Sequence, residues 1–257
     1  MSDIHATAVV DPAAIIGEDC KIGPYCVIGP HVTLGAGCLL HSHVVIDGRT
    51  ELGKANIIYP HACIGLRSQD LKWTGGTTWT RVGSHNTIRE HVTIHSATSD
   101  GDATVVGSHN NFLAYTHVAH DCQLGDHIIM SNVATLAGHV EVADRAIIGG
   151  LAAVHQFCRI GTMSIIGGCS KVVQDVPPFM MADGNPTATR ALNREGLKRN
   201  NVSEESQQAL KQAHRVLFRE NLTFTKGVEK ARAEVALTDE VLRLLEFVES
   251  SERGIAR

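Results

Sequence analysis

Residues 16–40 read IGEDCKIGPYCVIGPHVTLGAGCLL, and an aliphatic residue stands at every sixth position: Ile16, Ile22, Ile28, Leu34 and Leu40. Glycine follows the first four at once, at 17, 23, 29 and 35. The same phase reaches back to Ile4 and Val10 and forward through Ile46, Leu52, Ile58 and Ile64. It resumes at Val82, Ile88 and Ile94, and again from Val106 through Val172. A period of six matches neither an α-helix nor an alternating strand. It matches a short strand followed by a sharp turn that glycine relieves. Three such sides close a triangular coil of about 18 residues, and successive coils stack ~4.8 Å apart by strand pairing. The expected fold is therefore an all-β solenoid whose prism is filled by aliphatic side chains.

Two stretches break the rhythm, LRSQDLKWTGGTTWT (66–80) and SATSDGDA (96–103). Both are polar and rich in Gly, Thr or Asp, so they read as loops extruded from the coils, where a rigid scaffold tends to present binding groups. The hexads end near DVPPF (175–179). Beyond, SEESQQALKQAHRVLFRE (203–220) and TDEVLRLLEFVESSER (238–253) each begin with a Ser or Thr cap and two acids in the first turn, a helix start. A third helical stretch is expected near 225–236. The division expected is a β-helix over 1–176 and a C-terminal helical domain over 177–257 that covers the last strand edges.

Composition narrows the function. A net charge of −4 with 19% charged residues gives no sign of nucleic-acid binding. No apolar run reaches membrane-spanning length, and MSDIHATAVV lacks the pattern of a secretion signal. Seven cysteines without a CxxC pair favour free thiols in a reducing cytoplasm. Cys20, Cys26, Cys38, Cys122 and Cys158 all occupy the small slot of the hexad, which makes them buried packing residues rather than nucleophiles or ligands.

The stretch THVAHDC (116–122) holds His117, His120 and Asp121. With 18 residues per coil, His120, His139 and His155 fall near one edge of successive coils, and His117 lies close to it. Such a row suits either zinc, through three imidazoles, or proton transfer by a histidine that a carboxylate orients. Neighbours on a strand point to opposite faces, so Asp121 reaches His120 only if a corner turns it back. One row on a convex prism makes no pocket. A second wall is needed, most simply another copy of the chain. On the 203–220 helix, Lys211, Arg215 and Arg219 recur every four residues and form a basic stripe suited to an acidic partner protein.

The segments SQDLKW (68–73), IREHVTIH (88–95), HVAHDC (117–122), LAGHV (136–140), AVHQFC (153–158), GGCS (167–170), QDVPP (174–178) and NREGLKR (193–199) together resemble the UDP-N-acetylglucosamine 3-O-acyltransferases, left-handed parallel β-helix enzymes that open lipid A biosynthesis. The resemblance spans essentially the whole chain. It implies transfer of an (R)-3-hydroxyacyl group from acyl carrier protein to the sugar 3-hydroxyl of UDP-N-acetylglucosamine, with no metal and no cofactor beyond the carrier's phosphopantetheine. By resemblance, His120 is the general base, Asp121 orients it, and Gly138 offers an N–H to the oxyanion. Asp70, Lys72, His95, His117 and His139 contact the sugar, and His155 and Gln156 serve the sugar or pyrophosphate region. Asn193, Glu195 and Arg199 hold the UDP, from a neighbouring subunit of a homotrimer with intersubunit sites. Gly168 sets acyl length, and its small size implies a chain near fourteen carbons. Two departures stand out. Ser96-Ala97-Thr98 replaces the usual Arg-Gly-Thr after His95, which bears on a 3-hydroxyl versus a 3-amino acceptor. Asn200 follows Arg199 where another basic residue is usual, so a cation is missing. The rival readings are a zinc-dependent β-helix hydratase using His117, His120 and His139, and a non-catalytic scaffold.

Overall fold

The computed structural model describes residues 2–257. Short parallel strands, most of two residues, form three sheets of eleven, nine and eight strands that are the sides of a triangular prism. Pairing follows the hexad count: Ile4 lies on Ile22, Ile22 on Leu40, and Ile46 on Ile28, each 18 positions apart. Two steps are longer. Ile57 pairs with Thr87, 30 positions on, and Thr87 with Asn111, 24 positions on. The excess is twelve and six residues, so both insertions are whole hexads and the phase survives them.

The phase residues fill the prism. Ile46, Ile58, Ile64, Ile88, Ile94, Met130, Leu136 and Ile148 are fully buried. Each such side chain contributes roughly 1.5–3 kcal/mol relative to exposure, so repeated apolar rungs hold the solenoid. Its ion pairs, such as Arg81–Glu51, are largely exposed and add little. In the slot that Cys20 and Cys38 fill lower down, Asn56, Asn86 and Asn110 form a buried ladder. Each amide oxygen in it accepts the backbone N–H of the next rung, ending at Ile128, so the asparagine oxygens inside the prism are satisfied.

The corners use left-handed backbone, φ between about +53° and +65°, at residues with side chains as well as at glycine. Asp, Asn and His tolerate this region best. One corner accordingly stacks Tyr25, His43, His61, His91 and Tyr115. A second stacks His85, His109 and His127. Six of the fifteen histidines are thus stacked at corners of the scaffold, a use that the hexad phase alone did not indicate.

The extruded loops are slightly shorter than expected. Strands Cys63–Leu66 and Trp79–Val82 bound the first, leaving 67–78, and Thr93–His95 and Ala103–Val106 bound the second, leaving 96–102. Thr80 takes an interior place opposite Thr50 and Thr104, so a threonine rung replaces an aliphatic one. The segment from 177 is not helical throughout. Strand Met180–Gly184 adds to the eleven-stranded sheet beside Ile165–Ile166 and turns into the antiparallel Thr187–Leu192. Helices α1 (Arg194–Arg199), α2 (Glu204–Arg219), α3 (Phe224–Glu234) and α4 (Asp239–Glu249) follow. Ser203, Thr223 and Thr238 cap α2, α3 and α4 with their hydroxyls. These helices enclose a second apolar core around Leu210, Leu217, Leu244 and Leu245. No helix among the described residues is long and apolar enough to cross a membrane.

Candidate active site

Asp121 sits at a prism corner with φ +61°. That conformation folds its carboxylate back on its own neighbour, and Oδ2 accepts from His120 Nδ1 at 2.8 Å. The second extruded loop completes the grip. Thr98 N donates to Asp121 Oδ1 at 3.1 Å, and Thr98 Oγ1 lies 3.1 Å from His120 Nδ1. The first loop reaches the same place through Ser68, whose hydroxyl is 2.8 Å from Thr98 Oγ1 and accepts Asp70 N. Asp70 Oδ2 then stands 4.0 Å from His120 Nε2, the free nitrogen of the ring. Lys72 N donates to Asp70 Oδ1, and the Lys72 side chain is exposed.

One coil up, His139 occupies the same corner, its ring edge-on to His120 at 5.4 Å and its Nε2 3.4 Å from Asp121 Oδ2. Gly138 lies directly above His120. A Cβ on Gly138 would fall 2.6 Å from His120 Nε2, so the imidazole rests on bare backbone. Among the described residues the Gly138 N–H meets no protein acceptor. On the adjoining sheet, His95 and His117 meet edge-to-face at 5.2 Å, and His117 Nδ1 is 2.7 Å from Thr93 Oγ1.

The electrostatics separate these groups. Burial would raise the Asp121 carboxyl, but hydrogen bonds from His120 and from the Thr98 backbone N–H outweigh it and hold the pKa below the usual value. Burial, then His95 and His120, push His117 down to about 4. Burial, then His120, lower His95 as well. At neutral pH the two are neutral imidazoles beside an ionised Asp121. The Cys122 and Cys158 thiols are pushed by burial up to about 12 and about 11, which makes them inert packing groups.

The expected row is therefore broken at His155. Phe157, 18 positions after His139, stacks on its ring at 4.7 Å. His155 is exposed two positions earlier, with Nδ1 3.3 Å from an Arg253 guanidinium nitrogen, and Gln156 is exposed beside it. Nor do His117, His120 and His139 form a ligand set. Among the described residues, the three side chains whose ligand atoms come within 4.8 Å of one another are Asp70, His120 and His139. A zinc tetrahedron needs its ligands at roughly 3.3 Å spacing, and in this set Asp70 Oδ2 and His120 Nε2 alone are 4.0 Å apart.

The residues of NREGLKR lie elsewhere. Asn193 caps α1, accepting from Gly196 N and donating to Met163 O, so its amide is consumed by the fold. Glu195 and Arg199 line a cavity of about 310 Å³ together with His127, Arg145, Ile147 and Asn200. It opens on the eleven-stranded sheet, the side of the prism opposite the His120 corner. Lys211, Arg215 and Arg219 line a larger, mostly apolar groove of about 960 Å³ with Ile165, Met181 and Leu192. Arg219 donates to Arg190 O, and Arg215 lies 3.5 Å from Glu220.

Gly168 and Gly150 form a stacked pair, 18 positions apart. A Cβ at Gly168 would meet Gly150 O at 3.2 Å, and one at Gly150 would meet Asn132 O at 3.3 Å. Neither has positive φ. By contrast, a Cβ at Gly17, Gly35 or Gly149 would strike backbone below 3 Å. The fold demands glycine more strictly at those positions than at 150 and 168, where a Cβ presses on a single carbonyl oxygen, and exposed Val133 and Leu151 stand beside the pair. Thr98, Ser68, Arg145 and Gly150 escaped sequence reasoning. Of these, only Gly150 carried a signal, the doubled glycine in IIGG repeated 18 residues later.

Residues 175–256 match the family described as UDP N-acetylglucosamine O-acyltransferase, domain 2, and residues 13–48 match the bacterial transferase hexapeptide repeat. The acyl-[acyl-carrier-protein]–UDP-N-acetylglucosamine O-acyltransferase of Thermodesulfovibrio yellowstonii is 48% identical over all of both chains. Among solved structures, LpxA from Acinetobacter baumannii superposes with a TM-score of 0.95 at 44% identity, covering 99% of both chains. A UDP-N-acetylglucosamine acyltransferase from Bacteroides fragilis gives 0.96 at 35% identity over 99% of this chain and all of that one. With full-length identity of this order and the same fold from end to end, the chain belongs to the acyl-[acyl-carrier-protein]–UDP-N-acetylglucosamine O-acyltransferases.

Proposed function

We propose that this chain transfers an (R)-3-hydroxyacyl group from the phosphopantetheine thioester of acyl carrier protein to the 3-hydroxyl of UDP-N-acetylglucosamine, the first step of lipid A biosynthesis, in the cytoplasm and without metal or cofactor. The observation that carries it is the 2.8 Å bond between His120 Nδ1 and an ionised Asp121. The carboxylate fixes the proton on Nδ1 and leaves Nε2 as the lone-pair nitrogen.

His120 Nε2 takes the proton of the sugar hydroxyl as its oxygen attacks the thioester carbonyl. Asp121 stabilises the imidazolium that forms. The developing oxyanion meets the unpaired Gly138 N–H, a type of contact that is often the largest single catalytic contribution. Collapse breaks the C–S bond, and the imidazolium returns its proton to the leaving thiolate. His95 and His117 remain neutral partners for the sugar, His139 stands beside them, and Asp70 and Lys72 lie on the loop above. Gln156 and His155 border the diphosphate side. Thr98, which positions both His120 and Asp121, is kept in Ser96-Ala97-Thr98, so the departure at 96 and 97 leaves the base intact.

Glu195 and Arg199 belong to the nucleotide in this reading, with Asn193 shaping α1. Their cavity faces away from the His120 of the same chain, which supports a homotrimer in which one copy supplies the base and its neighbour the UDP contacts. The groove rimmed by Lys211, Arg215 and Arg219 suits the acidic carrier protein. Gly168 over Gly150 keeps an apolar path open for a chain near fourteen carbons.

The test is a mass-spectrometric assay with UDP-N-acetylglucosamine and a ladder of 3-hydroxyacyl carrier proteins. Parent protein should yield a mono-acylated sugar nucleotide, and His120→Ala should lose at least ~10²-fold in kcat. Product from a 3-amino sugar alone, or an undiminished His120→Ala, sinks this reading.

A further inference from the structure

We propose that Arg145 is a diphosphate-binding residue of the nucleotide-sugar site and that Asn200 is the positioning residue that aims it. The inference rests on the proposed function and deepens it, since it supplies the cation that the segment after Arg199 lacks.

Arg145 follows His127 at the same corner, in the left-handed conformation at φ +60°, its N–H donating to Asp126 O. Its side chain crosses to α1, where Nε donates to Asn200 Oδ1 at 2.6 Å. The amide of Asn200 cannot turn round, because its Nδ2 donates to Gly196 O at 2.8 Å. The oxygen is therefore the only group Asn200 offers. The grip is on Nε alone, and among the described residues neither terminal nitrogen of the guanidinium has a protein partner. A fork held by its stem presents two parallel donors, the geometry that binds phosphate oxygens in pairs.

The charge is uncompensated too. No carboxylate lies within 4.0 Å of Arg145 among the described residues, and the nearby acids are committed. Asp126 Oδ1 accepts Ser108 N and Asp144 Oδ1 accepts Asp126 N. Arg145 and Arg199 thus line one cavity of about 310 Å³ against the single acid Glu195. Two guanidiniums without a carboxylate partner in a partly enclosed pocket call for a dianionic ligand, and the diphosphate of a nucleotide sugar has that charge. A basic side chain at 200 would repel Arg145 and remove its acceptor. Asn200 and Arg145 are for this reason one unit, separated by 55 positions in sequence.

Steady-state kinetics on four purified variants, with trimer and melting temperature checked against parent, test the unit. Arg145→Ala should raise KM for UDP-N-acetylglucosamine about tenfold or more, with KM for the acyl donor unchanged and kcat within about threefold. Arg145→Lys should fall between, having charge without the fork. Asn200→Ala should raise the same KM by a smaller factor, with no change in the donor KM. The double variant Arg145→Ala/Asn200→Arg should recover most of the lost affinity, which no merely structural role of either residue predicts. UDP titration by calorimetry should follow the same order without needing turnover. An Arg145→Ala protein that is folded, with parent KM for the sugar nucleotide, overturns the assignment and leaves the proposed function standing. A parent that neither binds UDP nor acylates the sugar overturns both.

Discussion

The imidazole of His120 lies across the Cα of Gly138, with Nε2 only 2.6 Å from where a methyl group on that glycine would sit. Glycine is therefore required here by the ring beneath it rather than by its own backbone angle. Gly138→Ala should push the imidazole aside by a fraction of an ångström to an ångström and lower kcat about 10²-fold, because misplacement on this scale is costly at a reacting centre. KM for the sugar nucleotide should stay within a few-fold. Single-turnover rates with saturating substrates check this, and parental turnover in the Gly138→Ala protein would sink it.

Gly168 presses on one neighbour alone, Gly150. A side chain there meets Gly150 O at 3.2 Å, a tight contact that a shift of a few tenths of an ångström relieves, so Gly168→Met should fold with a melting temperature only modestly below parent. Its preference among 3-hydroxyacyl donors should move from about fourteen carbons to about ten, because the thioether would fill the last part of the apolar path. Competition between donors of different length, read by product mass, shows whether the shift occurs. An unchanged preference places the chain elsewhere.

His117 gives the molecule an acid-sensitive rung. Its folded pKa is about 4, against 6.5 for the free imidazole, so between these values the unfolded chain binds more protons than the folded one. Stability from this site is complete above pH 6.5 and is lost as pH falls towards 4, by up to about 3 kcal/mol. Replacing it, as in His117→Gln, should flatten the fall in melting temperature between pH 6.5 and 4.5. Melts at half-unit intervals for both proteins would reveal an equally steep fall if another group is responsible.

Thiol chemistry should be confined to one residue. Cys169 is exposed at a corner, Cys20, Cys26, Cys38, Cys122 and Cys158 are buried, and Cys63 is half-buried with its thiol pushed up by burial. Brief treatment of the native protein with iodoacetamide at neutral pH should add a single label, on Cys169, by peptide mapping. Labelling of any prism cysteine at a comparable rate would mean that the coils open far more readily than their packing implies.

The prism was legible because one residue in six must be aliphatic for a coil to close, and Ile16 through Leu40 show this without help from tertiary contacts. The helices after residue 203 were legible through their caps. The hairpin from Met180 to Leu192 was not, since a short alternating run after two prolines resembles a linker until a sheet edge is present to receive it. His117, His120 and His139 were placed together by counting coils, but counting could not fix which rungs stack. Phe157 and not His155 caps His139 because corner residues pair 18 apart wherever no loop intervenes. The bond from His120 to Asp121 depends on a left-handed φ that a strand reading of HVAHDC does not supply. The Arg145–Asn200 contact joins one corner of the prism to the end of α1, 55 positions on, and no local pattern announces it.

The two loops that carry Asp70 and Thr98 displace the pairing register by twelve and six residues, so each is a whole number of repeats. This sets a grammar for how such a chain can change over generations. A gain or loss of six residues there rewrites what surrounds the acceptor while every later isoleucine still lands inside. A change of another length there is taken up outside the prism, because Trp79–Val82 and Ala103–Val106 re-enter the coil by their own strand pairing. Specificity in this architecture is therefore free to drift at two places where the rungs are not touched, while a single residue gained or lost within a coil would turn the later side chains out of the core.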